Sequence, residues 1–174
     1  MSMEEKQNSL TFQDFSQSVL KPETREDISL IIQECYKKNI PIEINCLQSK
    51  KNIGRNFQVE KTLNLSNYKG IIEYKPEELY IKVKAGTPIK EIKIELDKHK
   101  QQLAFEPNDF GHLFKGNYDE GSIGGVVSCN FSGPRRFKVG SVRDHVLGFQ
   151  GINGRGETIK SGGTVVKNVT GYDL

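Results

Sequence analysis

Most of the chain's 17 glycines lie at or after Gly121, where they are interleaved with short apolar runs such as VVS, HVLGF and TVV. Glycine disfavours long helices and permits the tight turns that connect short strands. We therefore expect the residues from 101 onward to form a lobe of mainly antiparallel strands and turns. The first hundred residues differ, because their apolar positions recur with helical or strand spacing.

The first hundred residues predict a small mixed β-α-β lobe. Residues 22–38 carry apolar side chains at helical spacing, and the following segment PIEIN has the alternation of a short strand. A polar loop, CLQSKKNIGRN, comes next and is followed by the β-rich runs KTLNLS, GIIEY and LYIKVKAG. Thr87 is the expected N-cap of a second amphipathic helix that ends near Lys100. Together the two halves predict an α+β fold whose lobes meet near residue 100.

Length and composition exclude several classes of protein. A chain of 174 residues suits one compact unit. Its net charge of +3 is spread without a basic block, so nucleic-acid binding is not expected, and no apolar run is long enough for a membrane span. The N-terminal sequence MSMEEKQNSL lacks the parts of a secretory signal, which predicts a cytoplasmic location. The cysteines and histidines show no metal-ligand spacing, so we expect neither disulfides nor a metal site.

The segment GSIGGVVS, residues 121–128, is the clearest candidate for a binding site. Residues without a Cβ allow close approach of a ligand, and successive N–H groups form a concavity that suits phosphate oxygens. The alternative is a tight turn between packed elements with no ligand. The segment is not a P-loop and does not have the spacing of the dinucleotide fingerprint, so alone it decides nothing between the two.

Other motifs accompany this segment at close spacing. In order they are AGTPIKEI, LAFEPNDFG, GSIGG, SGPRRFKVGSVRDHVLGFQGINGRGE and GGTVVKNVTGYDL. Taken together, they resemble the N-terminal, FAD-binding part of the E subunit of bacterial glycolate oxidase. That family has the two-lobed, PCMH-type FAD-binding domain of the vanillyl-alcohol-oxidase superfamily. The resemblance predicts a polar extension over residues 1–18 and an FAD-binding domain over residues 19–174, without the family's later C-terminal parts.

The resemblance also implies where noncovalent FAD is held. One part of the site is the loop of residues 45–55, another is the glycine-rich segment, and a third lies on the second lobe. The cofactor-binding residues expected from it are Ser49, Lys50, Gly54, Arg55, Gly121, Ser122, Ile123, Gly124, Gly125, Ser128, Ser132, Gly133 and Pro134. Cys46 and Leu47 stand where the family commonly has small residues, and a Cβ at a position with positive φ costs on the order of 1 kcal/mol.

A few further residues carry expectations of their own. Asp144 is expected to be structural and to pair with backbone N–H groups or with a nearby basic side chain. Arg135 and Arg136 suit a phosphate, a carboxylate or a partner subunit, or simply a solvated turn. Glu106 is a candidate site carboxylate or a capping residue of its loop. The segment KNVTGYD, residues 167–173, is expected to return the chain beneath the flavin.

Two functions of different classes remain open. The first is an FAD-binding component of a glycolate oxidase-like complex that oxidises a 2-hydroxy acid, beside a second flavoprotein subunit and an iron-sulfur subunit. The second is a non-catalytic scaffold module of the same fold that lacks tight flavin binding. A cell-wall reductase that uses NADPH on an enolpyruvyl sugar nucleotide is a third possibility, although SGPRR and NGRGE fit it less well.

Overall fold

The computed structural model describes residues 14–51, 53–55, 58–110, 113 and 121–163. Its first part is a parallel sheet of three short strands in the order β1-β3-β2, with a long helix between β1 and β2. An antiparallel hairpin, three further α-helices and a second antiparallel hairpin follow among the described residues. The elements are β1 Val19–Leu20, α1 Arg25–Lys38, β2 Ile42–Asn45, β3 Lys61–Asn64, β4 Ile71–Lys75, β5 Tyr80–Val83, α2 Ile89–Asp97, α3 Ile123–Cys129, α4 Arg136–Val139, β6 Gly148–Ile152 and β7 Thr158–Gly162.

Helix α1 confirms the helix predicted over residues 22–38, and local chemistry sets both of its ends. Thr24 and Asp27 form a reciprocal capping box, with both side-chain to backbone hydrogen bonds at 3.1 Å. Asn39 ends the helix in the left-handed conformation at φ 51°. The helix packs an apolar stripe onto the sheet, and this first buried cluster consists of Leu20, Ile28, Ile31, Ile32, Cys35 and Leu63.

Helix α2 corrects one detail of the prediction. Its N-cap is Pro88 rather than Thr87, and Pro88 provides no side-chain cap. Thr87 is fully buried, and its hydroxyl accepts a hydrogen bond from the Gly70 N–H at 2.9 Å and donates to the Lys84 carbonyl at 2.7 Å. The hydroxyl therefore joins the two ends of the β4–β5 hairpin instead of capping the helix.

The second buried cluster joins the apolar face of α2 to the residues after 100. Its members are Ile89, Ile92, Leu96, Phe105, Val126 and Val142, with Tyr74, Ile81 and Val83 packed against them. The first cluster draws on residues up to Tyr68 and on Ile152 of β6, whereas the second draws on residues from Tyr74 to Val146. The predicted meeting of two lobes near residue 100 stays a prediction.

The glycine-rich segment forms a helix, α3, where turns and strands were expected. Only Gly121 has a positive φ, 81°, while residues 123–129 are helical. Ser122 is the N-cap, and its Oγ accepts a hydrogen bond from the Gly125 N–H at 3.4 Å. A polar cap residue directly before a run containing Val126 and Val127 therefore outweighs the low helix propensity of two glycines.

The end of the described chain is a hairpin that packs on α1. Strands β6 and β7 pair from Gly148 with Gly162 to Ile152 with Thr158, which agrees with the antiparallel strands expected there. The Arg25 guanidinium donates to the Gln150 side chain at 2.8 Å. Segment 167–173 and His112 lie outside the described residues. None of the helices in the described part of the chain is long and apolar enough to cross a membrane.

A candidate cofactor site between the loop after β2 and helix α3

A cavity of about 410 Å³ lies between two parts of the chain that are far apart in sequence. One wall is the end of β2 with the loop after it, and the other is the first turn of α3. The volume is within the range of ordinary small-molecule sites. The walls are formed by residues 43–51, Leu65, Ala85, Ser122, Gly124, Gly125 and Ser128.

The segment Ala85–Gly86–Thr87 holds these two walls together. The Gly124 N–H donates to the Ala85 carbonyl and the Ile123 N–H to the Thr87 carbonyl, both at 2.9 Å. On the other side, the Cys46 thiol donates to the Gly86 carbonyl at 3.6 Å. The short segment therefore fixes the spacing between the loop after β2 and the first turn of α3.

These contacts indicate that a glycine in GSIGG has a packing role. The N–H groups of Ile123 and Gly124 already have carbonyl acceptors, and the Gly125 N–H has the Ser122 hydroxyl. They do not form the open concavity expected from the sequence. Gly124 instead permits close packing, because a Cβ there would lie 2.8 Å from the Ala85 carbonyl oxygen.

Lys50 brings the positive charge of the loop to this first turn. Its ammonium group lies 3.3 Å from the position of a Cβ on Gly121 and 3.7 Å from that of a Cβ on Gly125. It donates to the hydroxyl of the buried Ser49 at 3.2 Å. The Ser49 hydroxyl fills the space beside Gly121, whereas the missing side chain of Gly125 leaves room for an anionic ligand to reach the ammonium group.

Two aromatic rings that the sequence did not point to support this lysine. The Lys50 ammonium lies 5.8 Å from the ring centroid of Phe110 and 5.6 Å from that of Phe131. The two rings contact one another with their centroids 5.0 Å apart. Both distances are within the range of cation–π attraction, which restricts where the ammonium group can lie.

The structure also locates backbone strain in the loop after β2. Apart from Gly54, the described loop residue with positive φ is Gln48, at 56°, so neither Cys46 nor Leu47 occupies the strained position considered above. Burial raises the pKa of the Cys46 thiol, although hydrogen bonds from Ser122 and Leu47 offset part of this effect. The thiol is therefore neutral at neutral pH.

Asn45 provides a second polar group in the cavity wall. Its Oδ1 is buried and has no hydrogen-bond partner among the described residues. A buried acceptor without a donor is unfavourable, so it marks a place where a ligand hydroxyl or N–H fits. Asn45 opens the loop of residues 45–55 but was not among the expected cofactor-binding residues, because a polar residue at the end of a strand is common and mostly structural.

The structure brings six of the thirteen predicted residues to one cavity, and the others lie outside it. Ser49, Lys50, Ser122, Gly124, Gly125 and Ser128 line one cavity. Gly133 and Pro134 line a different cavity of about 810 Å³ with Glu106 and Asn108. Gly54 and Arg55 are exposed and line neither cavity. Whether any of these residues binds cofactor stays a prediction.

Residues 132–145 are held by side-chain to backbone hydrogen bonds. The buried Ser132 hydroxyl accepts from the Val142 N–H at 2.9 Å, which gives this residue a structural role. Asp144 accepts from the Ser141 N–H at 2.6 Å and from its hydroxyl at 2.8 Å. These two donors hold the pKa of the Asp144 carboxyl below its ordinary value. The structural role expected for Asp144 is confirmed.

A family model identifies the class of protein to which this fold belongs. The family model described as "FAD binding domain" matches residues 16–162, and the chain belongs to that family. Among solved structures, an alkyldihydroxyacetonephosphate synthase superposes with a TM-score of 0.67 at 17% identity, covering 89% of this chain and 27% of that one. Phl p 4.0202, a glucose dehydrogenase, superposes with a TM-score of 0.66 at 10% identity, and the match covers 82% of this chain and 28% of that one. The predicted α+β, PCMH-type FAD-binding fold is confirmed.

The chain also resembles particular curated proteins. The chain is 37% identical over 161 residues to glycolate oxidase subunit GlcE of Escherichia coli (strain K12), which covers 92% of this chain and 41% of that subunit. It is 28% identical over 170 residues to subunit GlcD of Bacillus subtilis (strain 168), which covers 94% of this chain and 33% of that subunit. It is 27% identical over 154 residues to a D-lactate dehydrogenase of Anaerostipes hadrus, which covers 86% of this chain and 30% of that enzyme. The chain thus spans less than half the length of these relatives. The resemblance to the glycolate oxidase E subunit and the expectation of FAD as cofactor are confirmed.

Proposed function

We propose that this chain is the FAD-carrying part of a flavin oxidoreductase that acts on 2-hydroxy acids, similar to glycolate oxidase, and that it holds FAD noncovalently. The observation that carries the proposal is the position of the Lys50 ammonium beside Gly121 and Gly125 in a cavity. Family membership and the identity with subunit GlcE support it.

The cavity residues fit the chemical groups of the cofactor. The Lys50 ammonium and the Ser49 hydroxyl suit the diphosphate, because a charge-assisted hydrogen bond is among the stronger contacts to a phosphate oxygen. The unpartnered Asn45 Oδ1 suits a hydroxyl of the ribityl chain or the ribose. When bound, FAD supplies the capacity to accept a hydride from the carbon that carries the substrate's hydroxyl. The chain's own residues bind and orient it.

The same relatives support a proposal about partners and location. Two of them are named as subunits of glycolate oxidase. We infer that this chain works in a cytoplasmic complex with a second flavoprotein subunit and an iron-sulfur subunit. Electrons taken from the hydroxy acid then leave through the iron-sulfur subunit.

A scaffold module without tight flavin binding is the second candidate. It is favoured by the N–H groups of Ile123, Gly124 and Gly125, which all have acceptors within the protein. The first turn of α3 is therefore satisfied without a ligand.

Flavin retention by the purified protein separates the two candidates. The protein is mixed with FAD, desalted and measured by visible absorption against the protein concentration. About one flavin per chain supports the cofactor-carrying function, and bleaching of the bound flavin by glycolate or D-lactate without oxygen supports the substrate class. A folded protein that retains no flavin favours the scaffold.

The substitution Lys50→Met tests the site itself. Loss of a hydrogen bond to a charged group costs about 1.5–3 kcal/mol, so the Kd for FAD should rise by roughly tenfold to a hundredfold. Lys82→Met is the matched control, because Lys82 is exposed on β5 outside the cavity. If both variants bind FAD as tightly as the parent protein, Lys50 does not hold the cofactor.

A further inference from the structure

Phe110 and Phe131 lie beside the Lys50 ammonium group without lining the candidate cofactor cavity. Their ring centroids are 5.8 Å and 5.6 Å from Lys50 Nζ, and the two centroids are 5.0 Å apart. Lys50 itself lines the cavity, whereas neither ring does. Both residues are partly buried, and neither belongs to the two buried clusters of the fold. The rings therefore contact the lysine from outside the cavity, and the two clusters do not account for their position.

An aromatic ring holds a cation differently from a carboxylate. The ring attracts the ammonium group through its quadrupole and carries no net charge, so it does not neutralise the cation. A carboxylate in the same place would compete with any anionic ligand. Two rings beside Lys50 thus restrict where its ammonium group lies, and they leave the positive charge available for a phosphate oxygen.

The two rings belong to separate segments that are held close together. Phe110 lies two residues after Asn108, and Phe131 lies two residues before Gly133. The Gly133 N–H donates to Asn108 Oδ1 at 3.0 Å. Gly133 has a φ of 60°, and a Cβ there would lie 2.8 Å from the Cβ of Glu106 and 2.9 Å from its carbonyl oxygen. A glycine at this position permits the close approach that brings the two rings into contact.

We propose that Phe110 and Phe131 are positioning residues of the cofactor site, which hold the Lys50 ammonium group where it binds the diphosphate of FAD. The proposal rests on the proposed function, because the rings contribute to FAD affinity only through this lysine. It also gives Gly133 a role without direct contact with the cofactor, since its close approach to Glu106 keeps the two rings together.

The alternative is a packing role, in which the rings stabilise the fold without acting on Lys50. In that case, replacing a ring changes FAD binding by the same factor whether position 50 is lysine or methionine. A double-mutant cycle between a ring and the lysine distinguishes the two roles, because it isolates the interaction between them.

The cycle combines Phe131→Leu with Lys50→Met, and the Kd for FAD is measured by quenching of flavin fluorescence. Leucine keeps an apolar side chain and removes the ring. Loss of one cation–π contact should raise the Kd about twofold to fivefold in the parent protein. In the Lys50→Met background, the same substitution should leave the Kd unchanged. Phe110→Leu should behave like Phe131→Leu, whereas Phe131→Tyr keeps an aromatic ring and should bind FAD as the parent protein does.

A matched control and a folding measurement complete the test. Phe149→Leu makes the same change at a half-exposed residue of β6 that does not line the cavity, and it should bind FAD as tightly as the parent protein. Urea unfolding establishes that each variant is folded under the conditions of the titration.

The outcomes separate this proposal from the proposed function. A folded parent protein that retains no flavin overturns the proposed function, and the positioning role fails with it. Flavin binding that needs Lys50 but neither ring overturns the positioning role alone. An equal effect of Phe131→Leu in both backgrounds also overturns it and assigns the rings to packing.

Discussion

Replacing Gly124 by alanine tests the contact between α3 and Ala85. A Cβ on Gly124 would lie 2.8 Å from the Ala85 carbonyl oxygen and 2.9 Å from the Ala85 Cβ. The same carbonyl accepts the Gly124 N–H at 2.9 Å, so relief of the clash lengthens that hydrogen bond. Overpacking of this kind lowers the free energy of unfolding by about 1–3 kcal/mol, and the higher helix propensity of alanine raises it by at most about 1 kcal/mol. We therefore expect Gly124→Ala to lower the free energy of unfolding by about 1–2 kcal/mol.

The adjacent glycine is a matched control within the same helical turn. A Cβ on Gly125 would meet Ser122 Oγ at 3.5 Å and Lys50 Nζ at 3.7 Å, which are ordinary contact distances. Gly125 has no positive φ. Gly125→Ala should therefore leave the stability unchanged or raise it by up to about 1 kcal/mol.

Urea unfolding followed by far-ultraviolet circular dichroism measures both variants. The two free energies should differ by about 1–3 kcal/mol, with Gly124→Ala the less stable. Equal stability of the two alanine variants would refute the close packing of α3 on Ala85. Flavin titration of Gly125→Ala adds an independent result, since a methyl group beside the Lys50 ammonium should weaken FAD binding in a protein that is fully stable.

Two more substitutions test residues outside the cavity. Thr87→Val should destabilise the protein by about 1–3 kcal/mol in urea unfolding, because it leaves the partly buried Gly70 N–H without its acceptor. Thr87→Ser keeps a hydroxyl and should lose less stability, so equal effects of the two variants would contradict this role. Asp144→Ala should destabilise the protein at neutral pH. Because the pKa of Asp144 is lowered in the folded state, its stabilising effect is present above the ordinary value of 3.8 and is lost as the pH falls below it. Unfolding measured across that range should show the difference from the parent protein shrinking in acid, and a constant difference would count against it.

Local sequence patterns were sufficient to predict the elements whose ends are set by neighbouring residues. The spacing of Ile28, Ile31 and Ile32 predicted α1, and the structure adds that Thr24 and Asn39 set its ends. The pattern was insufficient at Thr87, because a threonine before a helix is either a cap or a buried hydroxyl. The role of Thr87 depends on where Gly70 lies in the folded chain, and the residues next to Thr87 do not give that position.

The candidate site was predicted in part for a similar reason. The resemblance placed Ser49 and Lys50 with the glycine-rich segment, and the structure brings them to one cavity. Phe110 and Phe131 were missed because their contact with Lys50 joins segments far apart in the chain. The same nonlocality explains why the sequence did not indicate that Gly124 packs against Ala85.

The segment Ala85–Gly86–Thr87 joins the stability of the fold to the geometry of the cavity. A Cβ on Gly86 would overlap the carbonyl oxygens of Leu65 and Tyr68, so this segment has no space to shift. Its carbonyls accept hydrogen bonds from both walls of the cavity, from Cys46 on one side and from α3 on the other. Any change that moves the segment therefore alters the distance between Lys50 and the first turn of α3. Variants that weaken this packing should therefore lose both stability and flavin affinity, and the affinity should fall while the protein is still folded. Gly125→Ala should instead lose flavin affinity with no loss of stability.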